Sequence, residues 1–156
     1  MSRQIKSVAV IGGGTMGTGI AGLCAQTGHK VMLLDVSEKA IQKAKDRIIN
    51  GRPPAVDEPE KADNITFGTI DDDLTQIADY DWICEAVVED LPTKRALFAK
   101  LEPLRRENSV ISTNTSGIPL RDITEGMPDS LKKDIAVTHF FNPVKVMRLL
   151  ELIPGE

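Results

Sequence analysis

Short runs of apolar residues alternate along this chain with longer stretches whose apolar positions recur every three or four residues. The first run, Ser7–Ile11 (S-V-A-V-I), is apolar at consecutive positions, as expected of a strand covered on both faces in a parallel sheet. Residues 15–27 follow with helical character and stop before Gly28, a natural left-handed cap. Residues 31–36 (V-M-L-L-D-V) predict a second buried strand. Ser37 then predicts an N-cap for a helix running to about Asn50, with Ala40, Ile41, Ala44 and Ile48 along one stripe. Residues 51–64 form a charged, Pro-rich connector with no regular period. A short strand is predicted at 65–67 and a clear one at 81–88, which holds Trp82, Ile83, Ala86, Val87 and Val88. Pro92 marks the first turn of a helix that offers Leu97, Phe98 and Leu101 to a core. Val110–Thr113, Ile135–Phe140 and 147–153 complete the strands. This alternation predicts a doubly wound α/β architecture, a mostly parallel sheet with helices on both faces.

Composition narrows the partners. A chain of 156 residues fits one domain. At 41% hydrophobic and 27% charged, it is neither disordered nor collagen-like. No apolar run approaches the ~18–20 residues that span a bilayer, so no membrane partner is expected. Aromatics are only 4%, which leaves a core to Val, Ile, Leu and Ala. A net charge of −4 argues against nucleic acid, and any anionic ligand needs a local site. Cys24 and Cys84 have neither a disulfide framework nor metal-ligand spacing. They read as reduced, packed thiols in a cytoplasmic setting, with no metal expected.

Gly12-Gly13-Gly14-Thr15-Met16-Gly17 is a G-x-G-x-x-G that follows a buried strand and opens a helix, with an acidic residue ending the next strand. In that context it predicts a Rossmann-type dinucleotide site. Gly12 allows the tight turn, Gly14 lets the backbone approach a pyrophosphate, and Gly17 permits close helix–strand packing. The helix start at Thr15 and Met16 offers N–H groups and a partial positive charge to phosphates. The Asp35 carboxylate can accept hydrogen bonds from both ribose hydroxyls and would repel a 2′-phosphate. Val36 and Ser37 supply no compensating arginine, so the expected cofactor is NAD.

The second half carries D-W-I-C-E-A-V-V-E-D (81–90), N-T-S-G (114–117) and H-F-F-N-P-V-x-x-M-x-L-x-E (139–151). With the glycine turn, these resemble the N-terminal NAD-binding domain of the 3-hydroxyacyl-CoA dehydrogenase family, over essentially the whole chain. The resemblance implies oxidation of a 3-hydroxyacyl-CoA to the 3-ketoacyl-CoA in β-oxidation. It makes His139 and Glu151 a catalytic pair and gives Ser116 a hydrogen bond to the substrate's 3-oxygen. Glu89, Lys94, Asn114 and Asn142 match cofactor-proximal family positions.

Elementary chemistry agrees with those roles. Oxidising a secondary alcohol needs a base for the hydroxyl proton, and imidazole, with an ordinary pKa near ~6.5, suits neutral pH. Glu151 lies in L-L-E-L-I, where burial would demand a partner, and a carboxylate against imidazole fixes its orientation. Taken alone, Lys94 could be a solvated helix charge, N-T-S-G a simple turn, and His29 a surface residue. Lys39, Lys43 and Arg47 form a basic stripe that reads as a solvated helix face.

Stand-alone family members are longer between Asp35 and Trp82, where a helical arm helps hold the coenzyme A nucleotide. They also continue into a helical domain that closes over the acyl-CoA and mediates dimerisation. The ending Pro154-Gly155-Glu156 reads as a linker, so residues 1–156 are expected to be one domain of a longer protein. Large relatives carrying an enoyl-CoA hydratase module are the nearer match. Two rivals stay open: a β-hydroxyacid dehydrogenase, which shares a G-x-G-x-M-G turn but uses a later lysine, and a module that binds NAD without catalysis.

Overall fold

A computed structural model describes residues 4–155. The elements are β1 (Ser7–Ile11), α1 (Thr15–Gln26), β2 (Lys30–Asp35), α2 (Glu38–Asn50), β3 (Ile65–Thr69), α3 (Ile70–Asp73), β4 (Trp82–Glu85), α4 (Leu91–Leu101), β5 (Val110–Thr113), α5 (Leu120–Thr124), α6 (Asp129–Asp134), β6 (Ile135–Phe140) and β7 (Leu150–Pro154). The sheet runs β3-β2-β1-β4-β5-β6-β7, parallel throughout except for β7, which pairs antiparallel with β6. Strand order reverses between β1 and β4, and there the chain leaves the sheet on opposite sides. A crevice at the carboxyl ends of the strands is the geometric consequence.

Successive residues of the central strands feed two separate cores. Val8 and Val10 of β1 with Val31 and Leu33 of β2 meet Ile20, Ala21, Ala44 and Ile48 from α1 and α2. Ala9, Ile11, Met32 and Leu34 point the other way, onto Phe98 and Leu101 of α4, Ile77 and Ile111. Each fully buried aliphatic or aromatic side chain contributes roughly 1.5–3 kcal/mol by leaving water. Both faces of the central strands are covered by these mainly aliphatic clusters.

Capping follows the sequence closely. Ser37 accepts from Ala40 N at 3.2 Å at the start of α2. Asp90 accepts from Thr93 N at 2.9 Å ahead of α4, whose first turn carries Pro92. Gly28, at φ +91°, takes the left-handed position after α1.

Four differences from the patterning have local causes. The connector contains a 3-10 turn, Pro59–Asn64, and is fastened to α1 by Asn64 Nδ2 donating to the Ala25 carbonyl and by Gln26 pairing with Asp57. The strand expected at 81–88 stops at Glu85: Val87 N donates to the Glu85 carboxylate instead of a neighbouring strand, so the chain turns over the sheet end. The short helices α3, α5 and α6, with a 3-10 turn at Leu74–Asp79, are too brief for a helical period to show. The last strand starts at Leu150, because Val146 and Met147 N–H groups turn back onto the Pro143 carbonyl. Among the described residues, no helix is long and apolar enough to cross a membrane.

Candidate active site

The glycine turn is built by contact between backbones. At Gly12 (φ +106°) an added Cβ would stand 2.5 Å from the Ala86 carbonyl oxygen, and at Gly17 it would overlap the carbonyl oxygen of Gly12. Side chains are excluded at both positions, and β1, α1 and the end of β4 close on one another. Gly14 is different: nothing lies within 4 Å of where its Cβ would be, so its backbone faces open space. It begins α1, and no side chain caps that helix, whereas Ser37 and Asp90 cap α2 and α4. An uncapped helix start on an open glycine backbone suits a pyrophosphate, which would take the unpaired N–H groups.

Asp35, at the end of β2, accepts from Gly13 N at 2.9 Å and Val36 N at 2.7 Å. Both oxygens are thereby held at the edge of a cavity of about 730 Å³ that the glycine turn and the Ala86–Val87–Val88 wall also line. Arg47 is not merely part of a solvated stripe: it donates to the Gly13 carbonyl at 3.0 Å and ties α2 to the turn. Lys39 and Lys43 are exposed, as expected.

A second cavity of about 500 Å³ shares Gly14 and the same wall. It is lined by Thr15, Met16, Glu89, Lys94, Asn114, Ser116, His139 and Asn142. The two volumes form one crevice across the reversal of strand order, with Asp35 at one end and His139 at the other. Gly17 does not line it; it sets the packing beneath.

His139 and Glu151 are direct partners in the β6–β7 register, and His139 Nδ1 lies 2.8 Å from Glu151 Oε2. Nε2 is then the ring nitrogen left for a ligand. The burial expected of Glu151 is not found. Every residue of β7 is exposed, and the Glu151 side chain is 52% accessible, because β7 is an edge strand with an uncovered face. What holds the carboxylate is the histidine opposite, not a surrounding core. Asn114 Oδ1 accepts from Phe140 N at 2.9 Å, fastening the end of β5 beside β6.

Lys94 is not a solvated helix charge. Its side chain is 1% accessible and lies 2.6 Å from Glu85 and 3.3 Å from Glu89. Glu89 Oε1 accepts from the Thr115 hydroxyl and from Ser116 N and Gly117 N, so N-T-S-G is held by a carboxylate and is more than a free turn. Partial burial works to raise the Glu89 pKa. The Thr115 and Gly117 donors and the Lys94 ammonium outweigh it and hold the carboxyl below its ordinary range.

Sequence reasoning missed Glu85, which is wholly buried at the end of β4. Its signal was available: a charge inside the apolar run W-I-C-E-A-V-V demands a buried partner, and Lys94 is that partner. Burial pushes both thiols, Cys24 and Cys84, up to about 12, and neither lines the crevice. His29 Nδ1 lies near the Thr27 hydroxyl and the Cys24 carbonyl, away from this site. Among the described residues, no group of His, Cys, Asp and Glu could hold a metal ion.

A crevice at the reversal of strand order, floored by a glycine turn and bounded by an aspartate at the end of β2, defines a dinucleotide-binding domain of the Rossmann class. Residues 7–156 match the family model described as "3-hydroxyacyl-CoA dehydrogenase, NAD binding domain". The chain belongs to that family, and NAD is its cofactor. It is 42% identical over 160 residues to a Rickettsia felis protein provisionally named a fatty acid oxidation complex trifunctional enzyme, covering 98% of this chain and 22% of that one. It is 35% identical to rat mitochondrial hydroxyacyl-coenzyme A dehydrogenase, covering 96% of this chain and 50% of that one. Among solved structures, M. tuberculosis FadB2 matches with a TM-score of 0.86 at 31% identity, over 99% of this chain and 57% of that one. The chain thus spans about half, or less, of the length of these relatives.

Proposed function

We propose that the protein containing this chain is an L-3-hydroxyacyl-CoA dehydrogenase that oxidises a 3-hydroxyacyl-CoA to the 3-ketoacyl-CoA in fatty acid β-oxidation. The observation that carries this reading is the His139–Glu151 pair at 2.8 Å, whose histidine stands on the wall of the crevice that begins at the glycine turn. When bound, NAD supplies the acceptor for the hydride that leaves the substrate carbon. His139 takes the hydroxyl proton at Nε2. Glu151, hydrogen-bonded at Nδ1, holds the ring in orientation and stabilises the imidazolium that results. Ser116 orients the 3-oxygen toward that base.

On the cofactor side, Asp35 receives the adenosine ribose, while Gly12, Gly14, Thr15, Met16 and Gly17 form the pyrophosphate turn. Glu89, Lys94, Asn114 and Asn142 border the nicotinamide end. Residues 1–156 act as the NAD-binding domain, with a helical domain enclosing the acyl-CoA and a dimer partner supplied by the full-length protein. The accessible apolar side chains of Met147, Leu149, Leu152 and Ile153 support such a cover.

The test is His139→Gln in the full-length protein, followed by NADH formation from a 3-hydroxyacyl-CoA. A loss of kcat of about 10²–10⁴-fold with NAD binding retained is the expected result. Little change would favour a lysine-based hydroxyacid dehydrogenase. A wild-type protein that binds NAD but reduces none with any 3-hydroxyacyl-CoA would favour a binding module.

A further inference from the structure

We propose that Glu85 is a positioning residue for the substrate side of the crevice, holding the Ser116 loop through two converging arms; the proposal rests on the role given to Ser116 above. Glu85 touches neither cavity, yet it is the most deeply buried carboxylate near the site. It ends β4 between Ile11 of β1 and Thr113 of β5 in the sheet register. One arm runs through the sheet. Thr113 Oγ1 donates to Glu85 Oε2 at 2.5 Å, which aims the hydroxyl's lone pairs outward, and Thr115 N donates back to Thr113 Oγ1 at 3.2 Å.

The other arm is ionic. Lys94 Nζ donates to Glu85 Oε1 at 2.6 Å and reaches Glu89 at 3.3 Å. Glu89 in turn accepts from Thr115 Oγ1 at 2.5 Å, Ser116 N at 3.1 Å and Gly117 N at 3.2 Å. The arms therefore meet at residues 115–117, on either side of Ser116 N. Glu85 Oε1 also accepts from Val87 N at 2.9 Å, which fixes the wall shared by both halves of the crevice.

A purely structural role explains this poorly. A buried ion pair is often no more stabilising than apolar side chains of the same volume, so its presence here calls for a function that apolar packing cannot perform. Directional hydrogen bonds reaching the backbone of a substrate-orienting loop are such a function.

The experiment uses the full-length protein with Glu85→Gln, which removes the ionic arm's anchor, and Thr113→Val, an isosteric change that removes the sheet arm alone. Each variant is expected to lower kcat for a 3-hydroxyacyl-CoA at least about tenfold, as misplacement of an orienting group does. Thr113→Val should leave the Kd for NAD within about threefold, and hydrogen exchange in segment 114–118 should quicken several-fold in both while β1 and β2 stay protected. Rescue by Glu85→Asp should be incomplete, since the shorter side chain cannot span both Lys94 and Thr113.

Folded variants with wild-type kcat and wild-type exchange at 114–118 would overturn the proposal, even if their Tm falls. If Glu85→Gln does not fold, Thr113→Val decides by the same readouts. If the wild-type protein oxidises no 3-hydroxyacyl-CoA, the functional reading fails, and the exchange rates still decide whether Glu85 holds the loop.

Discussion

The two ends of the crevice are built by opposite means. Between β1 and β2 the floor is backbone: glycines exclude side chains, α1 begins without a cap, and one aspartate is held by two N–H groups. Between β4 and β6 the site rests on side chains: Lys94, Glu89 and Asn114 line the crevice, and Glu85, Thr113 and Thr115 stand behind them, all hydrogen-bonded to one another or to neighbouring backbone. Backbone geometry recognises what every dinucleotide shares, its pyrophosphate and ribose. A side-chain network can be aimed at one substrate. The difference explains why fold and cofactor are read from the first half, while the proposed reaction is read from the second.

The largest expected effect breaks the network end. Lys94→Met leaves the buried Glu85 carboxylate without its cation, and loss of one partner from a buried pair costs about 3–5 kcal/mol. Arg47→Met, at the backbone end, removes one bond from an exposed side chain and should cost under about 1 kcal/mol. Urea unfolding of both variants measures the contrast, and equal losses would erase it.

A smaller effect is expected at the backbone end. In Gly17→Ala the new Cβ meets the Gly12 carbonyl oxygen, so strand and helix must separate. Overpacking of this kind costs about 1–3 kcal/mol, and NAD affinity should fall at least about tenfold because the turn itself moves. Gly117→Ala, with nothing within 4 Å of its Cβ position, should change stability by less than about 0.5 kcal/mol. Calorimetric titration with NAD alongside thermal unfolding checks both. A Gly17→Ala protein with wild-type affinity would show that the close contact is not what shapes the turn.

The same contrast governs what could be read from the chain alone. Ser37, Gly28 and the continuous apolar runs of β1 and β2 act through local rules, and the structure places them where those rules require. The His139–Glu151 pair was legible through its motif, but the burial argument for Glu151 fails, because whether a strand is covered depends on what packs against it. Lys94 and Glu85 lie nine residues apart and meet only because α4 folds back over β4, a tertiary fact with no local period to announce it. Arg47 was hidden for a similar reason: its helical spacing matches Lys39 and Lys43, and only the docked turn distinguishes it.

The smallest effect separates the two ends by acid. The Glu89 carboxyl sits below its ordinary value of 4.5 in the folded protein, because Thr115, Gly117 and Lys94 outweigh the opposing effect of burial. A lowered folded-state value means that the charged form contributes stability above the unfolded pKa and loses it as pH falls through the folded one. Glu89→Gln should therefore differ from wild type most near neutrality, and the gap should close as pH falls through and below the ordinary carboxyl range. With its side chain 43% accessible, solvent screening keeps that gap below about 1 kcal/mol. The Gly17→Ala loss is steric and should hold constant over the same range. Unfolding free energies of the two variants against pH test this directly. A Glu89→Gln difference that persists undiminished at low pH would mean that packing, rather than the charge on Glu89, secures the loop that carries Ser116.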